Sequence, residues 1–456
     1  MAVYSIIEKS KLEGAHRLDA EYFSPEYLEV ERKLSAIKTV TIESISESVV
    51  NFGAYSLCNY IEWRESGVPY LNVDNIKDGY IDFEGVKFID EEVNKILKKS
   101  KVEEGQVIIT MAGTIGNVAV AHNIPAKVNS NQATAKITLR KDFSPYYLAA
   151  FLSSYYGKKQ TEREIVSSVQ PNIFLWQIKL FKVPVDSRDK EREIEQAHKN
   201  GLEALEQSKS FYSQAEDFLL SELGLKNFKS QEDLTYNVNL SEIKLANRMD
   251  ADYFQPKYDA VIGRIKKYNL KPLAELVTMK KGFEPGSDEY QEEGKVFLRV
   301  SNISRPGFTD KDQKYLSNEL YQQLKGGFEP KTGDILLTKD ATPGIAYVLK
   351  EPVEGIIASG IMRLKIKENI DAEYLTLCIN SLVCQMQVER DAGGSIIVHW
   401  KPEQIKNLLI PILPKPTQQK IADLVRKSHE ARKKAKELLE EAKQKIEKMI
   451  LEGKGG

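Results

Sequence analysis

The sequence contains two related copies of one unit, and this duplication limits the possible folds more than any other feature. Three segments recur in the same order 227 to 231 residues further along the 456-residue chain. The pairs are Asp19-Ala-Glu-Tyr-Phe-Ser-Pro-Glu-Tyr27 with Asp250-Ala-Asp-Tyr-Phe-Gln-Pro-Lys-Tyr258, Gly105-Gln-Val-Ile-Ile-Thr110 with Gly333-Asp-Ile-Leu-Leu-Thr338, and Gln177-Ile-Lys179 with Gln404-Ile-Lys406. Because each copy fills about half of the chain, the pattern indicates a tandem duplication and not a short-period solenoid.

Each copy begins with a mixed region of about 150 residues by this reading. Short apolar runs that end in Gly-rich turns predict buried strands at 107–110 and 335–338. Runs rich in β-branched and aromatic residues predict strands at 68–73 and 295–300, and 145–152 and 372–379 are typical of helices. We therefore predict an α+β fold, with two tandem α/β domains that are each followed by a long helix.

The two helices share one hydrophobic register with alternating spacings of three and four, which is typical of a coiled coil. The predicted seam is Ile194, Ala197, Gly201, Ala204, Ser208, Phe211, Ala215 and Phe218 in the first helix, and Ile421, Leu424, Ser428, Ala431, Ala435, Leu438, Ala442 and Lys445 in the second. Its many small residues favour close approach of two backbones.

Charge favours pairing of these helices with each other. Residues 188–224 hold five Lys/Arg and nine Asp/Glu, a net charge of −4, and residues 415–454 hold twelve and seven, a net of +5. Opposite charge favours the mixed pair and disfavours self-pairing. We expect an antiparallel coiled coil with pseudo-two-fold symmetry and the two domains at opposite ends, separated by roughly 54 Å for about 36 helical residues.

Composition excludes several classes of protein. Lys plus Arg is 65 and Asp plus Glu is 66, so a net charge of −1 excludes a uniformly basic nucleic-acid binder but not a local basic face. Three cysteines cannot form a disulfide framework. The first ten residues lack the apolar run of a signal peptide and no run of 18 apolar residues occurs, so we expect a soluble cytoplasmic protein.

Short catalytic motifs are missing from the sequence. It contains no GxxxxGK[ST], no GxGxxG, no Gly-x-Ser-x-Gly and no Asn/Asp-Pro-Pro-aromatic quartet of an amino-methyltransferase. Its five histidines form no HxxxH or HExxH pair, so no metal site is predicted. By elimination, we interpret the chain as a binding protein without a cofactor of its own.

The repeated motifs resemble the specificity subunit of type I restriction-modification systems. The resemblance lies in the duplicated Asp-Ala-[Glu/Asp]-Tyr-Phe-x-Pro-x-Tyr, in Gly113-Thr-Ile-Gly116 paired with Ala341-Thr-Pro-Gly344, and in Val169-Gln-Pro-Asn-Ile173 running through Gln177 to Pro184. The partner of this last string runs from His399-Trp-Lys-Pro402 to Gln418-Gln419, and a helix follows each string. The second copy departs from the pattern at Ala341 and lacks the Gln-Pro-Asn triplet.

The resemblance implies two target-recognition domains, 1–187 and 225–414, and two spacer helices, 188–224 and 415–456. Each domain would read one half of a split target on double-stranded DNA. The helices would set a spacing of roughly 16 base pairs at 3.4 Å each and would dock two methyltransferase subunits. Those subunits would bring S-adenosylmethionine, and restriction subunits would join the full complex and use ATP. The chain itself would not be catalytic and would not contact a membrane.

Loops after the predicted strands supply candidate DNA contacts, because base and phosphate contacts need amide, hydroxyl and cationic side chains. The candidates are Asn72, Asn75, Lys77 and Thr110 in the first domain, Lys280, Lys281, Arg299, Asn302, Arg305 and Lys339 in the second, and Tyr55, Tyr80 and Phe283 as packing partners for sugars or bases. Ordinary surface roles are the alternative for each, and the matched pair Asn75 and Asn302 is also typical of a shared turn cap. Positions that differ between the copies, such as Asn72 against Arg299 and Met111 against Lys339, fit readers of two different half-sites.

Two other functions stay open at this stage. One is a self-contained DNA adenine methyltransferase with a duplicated recognition domain, against which the missing S-adenosylmethionine motifs argue. The other is a coiled-coil adaptor with two lobes and no DNA role, which the near-neutral charge mildly favours.

Overall fold

The computed structural model describes residues 4–15, 17–53, 59–165, 171–229, 235–309, 312–392 and 398–453. Tyr55, a candidate DNA contact, lies outside these ranges, as do His16, Cys58 and the Val169-Gln170 end of the repeated string. The chain forms two compact units, Met1–Glu206 with Arg432–Gly456, and Gln207–Ala431. We call them unit 1 and unit 2. The division passes through both long helices, so each unit holds one of the two repeated domains and a part of each helix.

Unit 1 contains ten strands and eight helices among the described residues. The strands are β1 (Thr39–Thr41), β2 (Ser46–Val50), β3 (Val68–Leu71), β4 (Lys87–Ile89), β5 (Lys101–Val102), β6 (Val107–Thr110), β7 (Val118–Val120), β8 (Val128–Ser130), β9 (Thr134–Leu139) and β10 (Lys182–Pro184). The helices are α1 (Lys9–Ala15), α2 (Pro25–Ser35), α3 (Ile42–Ile45), α4 (Glu91–Ile96), α5 (Pro145–Ser153), α6 (Tyr155–Glu164), α7 (Leu175–Lys179) and α8 (Arg188–Glu222), the last continuing into unit 2.

Two four-stranded sheets form the body of unit 1. One is antiparallel in the order β2-β9-β6-β7, and the other has the order β4-β3-β8-β5 with β3 and β8 parallel. The central strand β6 is buried on both faces, because Val107 and Ile109 pack into the core that includes α5 while Ile108 packs into a second core with Leu71. Burial on both faces explains why this strand is continuously apolar.

Unit 2 repeats this architecture. Its strands are β11 (Leu270–Pro272), β12 (Val277–Lys281), β13 (Lys295–Leu298), β14 (Ile303–Ser304), β15 (Gly307–Phe308), β16 (Lys314–Leu316), β17 (Ile335–Thr338), β18 (Ala346–Val348), β19 (Gly355–Ile357), β20 (Ile361–Ile366) and β21 (Leu409–Pro411). Its helices are α9 (Leu240–Ala246), α10 (Pro256–Ile265), α11 (Leu273–Leu276), α12 (Asn318–Phe328), α13 (Ala372–Asn380), α14 (Leu382–Asp391), α15 (Pro402–Lys406) and α16 (Lys415–Glu452), the last continuing into unit 1.

The four-stranded antiparallel sheet of unit 1 recurs in unit 2, whereas the second sheet has four strands in unit 1 and three, β16-β13-β19, in unit 2. The order β12-β20-β17-β18 corresponds to β2-β9-β6-β7, and the parallel pair β13 and β19 corresponds to β3 and β8. In β17, Ile335 and Leu337 face one core and Leu336 faces another, as in β6. The predicted α+β fold in two tandem copies is therefore confirmed, and the strands expected near 68–73 and 295–300 end slightly earlier because a 3-10 turn follows each, Val73–Asn75 and Val300–Asn302.

The two long helices run antiparallel within each unit, as predicted. In unit 1 the Lys445 Nζ lies 3.8 Å from the Glu193 carboxylate, and Gly201 lies against Leu439. In unit 2 the hydroxyls of Ser208 and Ser428 are 3.2 Å apart. Residue numbers therefore fall along α16 as they rise along α8, which defines the antiparallel pairing.

The buried face of these helices is wider than the predicted seam. Ile194, Ala197, Gly201, Ala204, Ser208, Ala215, Ile421, Ser428, Ala435 and Ala442 are buried, whereas Phe211, Phe218, Leu424, Ala431, Leu438 and Lys445 are only half-buried. Leu219 and Val425 are more deeply buried than their neighbours Phe218 and Leu424. The reason is that α16 also packs on domain cores, since Ile446, Met449 and Ile450 join the core of unit 1.

Candidate nucleic-acid interface

The Asp-Ala-x-Tyr-Phe motif fastens the start of each copy to its domain. Arg17 donates to Asp19 at 2.6 and 2.8 Å, and the Tyr22 ring lies 4.5 Å from the Arg17 guanidinium and 4.3 Å from that of Arg163. The same contacts recur in the second copy among Arg248, Asp250, Tyr253 and Arg390. The motif is therefore used for internal packing and not for holding a ligand.

The repeated Thr closes the loop that follows the central strand. The Thr110 hydroxyl donates to the Thr114 carbonyl at 2.5 Å and accepts from the Asn117 N–H at 2.9 Å. Thr338 makes the matching bonds in the second copy, to the Thr342 carbonyl at 2.6 Å and from the Ile345 N–H at 3.0 Å. Both threonines are fully buried, which argues against DNA contact at the candidate position Thr110.

The repeated Gln positions a short helix beside this loop. The Gln177 side chain accepts from the Phe174 N–H at 2.8 Å and donates to the Glu164 carbonyl at 2.8 Å. In the second copy Gln404 accepts from the Lys401 N–H at 2.9 Å and donates to the Asp391 carbonyl at 2.7 Å. A backbone bridge joins Ala112 to Asn172, so helix α7 is held next to the loop.

These elements build one surface in each unit, which we call the variable face. In unit 1 it consists of the end of β2, the loop 111–116 and the segment 174–180 that contains α7. A shallow cavity of about 440 Å³ opens here, lined by Val49, Asn51, Met111, Phe174, Leu175, Trp176 and Lys179. Three large apolar side chains are unusually exposed around it: Phe174 at 46%, Trp176 at 60% and Leu180 at 57%.

The variable face of unit 2 has the opposite chemistry. Phe174, Trp176 and Leu180 are replaced by Lys401, Glu403 and Asn407, all exposed. The strand register shows which residue of unit 2 corresponds to Asn51. Val50 pairs with Lys136 in unit 1, and Lys280 pairs with Arg363 at the same place in unit 2. The next residue, Lys281, therefore corresponds to Asn51. Backbone bonds join these parts, from the Trp400 N–H to the Lys339 carbonyl and from the Lys339 N–H to the Gly360 carbonyl. Lysines 281, 401 and 406 are all exposed on this face.

A buried ion pair supports the lysine-rich face. The Lys339 Nζ lies 2.6 Å from the Asp340 carboxylate, whose other oxygen is 2.8 Å from Nδ1 of His399. Although burial raises the pKa of Asp340, hydrogen bonds from Lys339 and His399 lower it below its usual value. The Lys339 side chain is only 10% exposed and the His399 side chain is 59% exposed. His399, rather than Lys339, therefore presents the group that can reach a ligand.

The asparagines at matched positions are turn caps. The Asn75 side chain accepts from the Asn72 N–H at 2.9 Å and donates to the Asp82 carbonyl at 3.0 Å. Asn302 accepts from the Arg299 N–H at 3.0 Å and donates to the Thr309 carbonyl at 3.2 Å. Both are buried, at 7% and 0% exposure, so burial argues against DNA contact and the turn-cap interpretation accounts for both.

The remaining candidates of the first copy lie on the same turn. Asn72 and Lys77 are half-buried, one at each end of the turn Val73–Asn75. Val73 borders the loop of the variable face, because a side chain at Gly113 would meet it at 3.4 Å. Tyr80 faces the long helices instead and packs with Ala204, Leu205 and Ala435.

The candidates of the second copy divide between two places. Lys280 and Lys281 are exposed at the end of β12, and the Lys280 ammonium lies 4.8 Å from the Phe328 ring, which also packs on Phe283. Arg299 donates to the Asp312 carbonyl at 2.5 Å, and among the described residues its buried Nε has no hydrogen-bond partner. Arg305 is half-buried and acts electrostatically on Glu216 of α8, so it faces a long helix.

The exposed residues Phe174, Trp176 and Leu180 were not among the candidates from the sequence. They stand inside a repeated motif, but they are apolar, so the expectation of polar and cationic DNA contacts does not select them. An alignment of Ile-Phe-Leu-Trp-Gln177 with Trp-Lys-Pro-Glu-Gln404 identifies two of them, because Phe174 and Trp176 align with the charged residues Lys401 and Glu403; three residues further on, Leu180 aligns with the polar Asn407.

No group of three or more His, Cys, Asp or Glu side chains is placed to hold a metal ion in the part of the chain that the structure describes. Within the same residues, no helix combines the length and apolar character needed to cross a membrane.

Fold and site together define a class: a duplicated recognition scaffold whose two copies share their internal contacts and differ on one exposed face. A comparison of the sequence with known families identifies the family of this chain. The family described as "Type I restriction modification DNA specificity domain" matches residues 35–210 and 265–447, one match in each copy. The chain belongs to this family.

Named relatives are distant. A putative type I restriction enzyme MjaX specificity subunit from Methanocaldococcus jannaschii is 20% identical over 419 residues, covering 85% of this chain and 87% of that protein. The type I restriction enzyme EcoBI specificity subunit of Escherichia coli is 26% identical over 131 residues, only 28% of this chain and 27% of that one. The crystal structure of a type I system S subunit from M. genitalium covers 91% of this chain and 94% of its own, at 14% identity and a TM-score of 0.40.

Proposed function

We propose that this chain reads a two-part DNA target, one part with each copy, as the specificity subunit of a restriction-modification complex. The observation that carries the proposal is the contrast between matched internal contacts and unmatched variable faces. The hydrogen bonds of Thr110 and Gln177 and the arginine–tyrosine packing around Tyr22 recur in the second copy, whereas Phe174, Trp176 and Leu180 do not. Two domains with the same fold can recognise two different half-sites only if their internal contacts are shared and their exposed surfaces differ.

The chemistry of each face supports contact with DNA. Exposed lysines 281, 401 and 406 in unit 2 supply charge for phosphate oxygens. Phe174, Trp176 and Leu180 in unit 1 supply apolar surface for thymine methyl groups and sugars. Asn72 and Arg299 stand at matching positions directly before the turns Val73–Asn75 and Val300–Asn302 and differ between the copies, so we propose them as base-reading positions.

We propose further that residues 1–187 and 225–414 are the recognition domains and that the paired helices, 188–224 and 415–456, set the spacing between half-sites. The antiparallel pairing and the lengths of 35 and 38 residues support this role. The helices would also dock two methyltransferase subunits, with restriction subunits joining them on DNA in the cytoplasm. The chain would supply recognition, and its partners would supply methyl transfer and cleavage.

Reconstitution tests the proposal. Purified chain, its methyltransferase subunit or both are incubated with labelled S-adenosylmethionine and a random-sequence DNA library. Methylation is expected only when both proteins are present, and a DNA footprint is expected to require the chain. Methyl transfer by the chain alone would instead favour the self-contained methyltransferase. Sequence-specific methylation by the partner alone would favour an adaptor without a DNA role.

A further inference from the structure

One loop in each copy contacts a long helix, and the framework of this loop is the same in both. In the first copy it lies between Asn75 and Asp82, whose carbonyl the Asn75 amide holds at 3.0 Å. In the second it lies between Asn302 and Thr309, held at 3.2 Å. Asp78 and Arg305 each stand three residues after the asparagine, so they occupy the same place.

In unit 1 this loop carries a negative charge to a positive helix. The Asp78 carboxylate lies 2.8 Å from the Lys158 Nζ of α6 and 3.6 Å from the Lys443 Nζ of α16. The Asp78 and Lys443 side chains are 28% and 21% exposed, so water screens this pair only in part. Lys443 also pairs with Glu440 on its own helix at 2.7 Å.

In unit 2 the charges at the same positions are changed together. Counting 227 residues back from Lys443 gives Glu216 on α8, and 227 residues on from Lys158 gives the neutral Gln385 on α14. The loop residue is Arg305 in place of Asp78. Burial raises the pKa of the Glu216 carboxyl, and Arg305 opposes this increase, as expected for a cation that faces it.

This reversal stands out against contacts that the copies share. The Tyr147 hydroxyl donates to the Pro184 carbonyl at 2.9 Å, and Tyr374 donates to Pro411 at 2.6 Å in the second copy. At the loop, by contrast, all three charges differ between the copies. The acidic loop residue is replaced by a basic one, the basic residue of the long helix by an acidic one, and Lys158 by the neutral Gln385. A loop change alone would have placed two like charges together.

The charged residue of each loop acts on the helix of the other copy. Asp78 belongs to the first copy and Lys443 to the helix of the second, whereas Arg305 belongs to the second and Glu216 to the helix of the first. A pair of two first copies would place Asp78 against Glu216, and a pair of two second copies would place Arg305 against Lys443. Both alternatives bring like charges together in partly buried sites.

We propose that this reversed charge set is a pairing code, by which each domain accepts the helix of the other copy opposite its charged loop residue and rejects its own helix at that position. Specificity of this kind comes from repulsion in the wrong pairing as much as from attraction in the right one. The proposed pairing code does not depend on what the two domains bind. It predicts that neither copy can replace the other in the folded chain without bringing like charges together.

Charge reversals in the full-length chain test the code. Asp78→Arg reproduces the second-copy loop against Lys443, and Lys443→Glu reproduces the first-copy helix against Asp78. Each single change is expected to lower the urea midpoint of unfolding. Together they should recover most of the loss, and adding Lys158→Gln, which completes the second-copy set, should recover the rest.

The matched control is Asp78→Arg with Lys448→Glu, which reverses an exposed lysine of the same helix that pairs only within the helix, with Glu452. This pair should show no recovery. Additive effects of Asp78→Arg and Lys443→Glu, or equal recovery with Lys448→Glu, would overturn the proposal. If a reversal prevents folding, Asp78→Asn and Lys443→Gln give the same cycle with smaller changes, and Arg305→Asp with Glu216→Lys repeats it in unit 2.

Discussion

Ala341 holds a backbone conformation that suits glycine. Its φ is +59°, and the matching Gly113 of the first copy has φ +74°. A left-handed backbone costs a residue with a Cβ roughly 1–2 kcal/mol, part of which is offset because glycine loses more freedom on folding. The second copy therefore keeps the loop at a cost in stability.

Exchanging these residues tests that reading. Ala341→Gly is expected to stabilise the chain by about 0.5–1 kcal/mol, and Gly113→Ala to destabilise it by about the same amount. Space is not the limit, since a Cβ at Gly113 would make only an ordinary contact with Val73 at 3.4 Å. Urea unfolding measures both changes, and equal signs for the two would contradict the account.

Lys136 is a fully buried lysine on β9, and its ammonium contacts the Ser130 hydroxyl at 3.1 Å. Burial lowers its pKa to about 7, whereas an exposed lysine in the unfolded chain titrates near about 10.4. Between these values the unfolded chain binds more protons than the folded one. Stability should therefore rise as pH increases from about 7 to about 10.

Unfolding at pH 7, 8 and 9 checks this dependence. Lys136→Met should flatten the rise and should stabilise the chain at pH 7 by about 1–3 kcal/mol, because it removes a poorly satisfied buried charge. Lys127→Met serves as the control, since that lysine is 60% exposed. The same slope in wild type and Lys136→Met would show that another group titrates.

At the residue scale, the sequence predicted the scaffold better than the surface. The recurring Asp19, Thr110 and Gln177 motifs correctly indicated the duplication, but their hydrogen bonds are internal, and Thr110 was expected to contact DNA. Motif spacing cannot distinguish a turn cap from a base reader, so Asn75 and Asn302 entered as candidates for DNA contact. Burial separates the two roles, and burial depends on packing between residues far apart in the chain.

Among the helices, Gly201 marks a close approach of α8 and α16. A Cβ at this position would lie 2.8 Å from Cγ of Leu439 on the antiparallel helix. Gly201→Ala gains helix propensity of about 1 kcal/mol but forces α8 and α16 apart, so we expect a net loss of about 1–2 kcal/mol. Gly263→Ala on α10 is the control, because nothing lies within 4 Å of its Cβ, and it should stabilise by about 0.5–1 kcal/mol. Stabilisation by both changes would mean that the helices are loosely packed at Gly201.

The length of the helices makes a second prediction at this scale. Adding one heptad to both α8 and α16 keeps their register and lengthens each by about 10 Å. The preferred gap between half-sites should then increase by roughly 3 base pairs. Sequencing of methylated sites measures the gap, and adding the heptad to α8 alone should disrupt the pairing. An unchanged gap would mean that the helices do not set the spacing.

Helix existence and direction followed from the sequence, but the buried face did not. Spacings of three and four describe a helix with one partner, and α16 has two, the other helix and the domain core that receives Ile446 and Met449. The most deeply buried residue is therefore the one next to the predicted seam position: Val425 and not Leu424 in α16, and Leu219 and not Phe218 in α8. A two-helix pattern cannot represent this second contact.

Across the whole molecule, duplication separates what is constant from what varies. The constant part is a pair of domains that share one four-stranded antiparallel sheet, one parallel strand pair and the internal contacts of the repeated motifs. The varying part is the variable face, the pair Asn72 and Arg299, and the reversed charges at Asp78 and Arg305. The near-zero net charge of −1 averages over an acidic helix and a basic one, so it does not describe either face.

The most direct test of the central claim is a map of methylated sites for the assembled complex with wild-type chain, Asn72→Ala or Arg299→Ala. Wild type is expected to give a target in two parts with a fixed gap. Each variant should relax sequence preference in one part only, and the two variants should relax opposite parts. A continuous target, or loss of preference in the same part with both variants, would contradict the claim that each copy reads its own half-site.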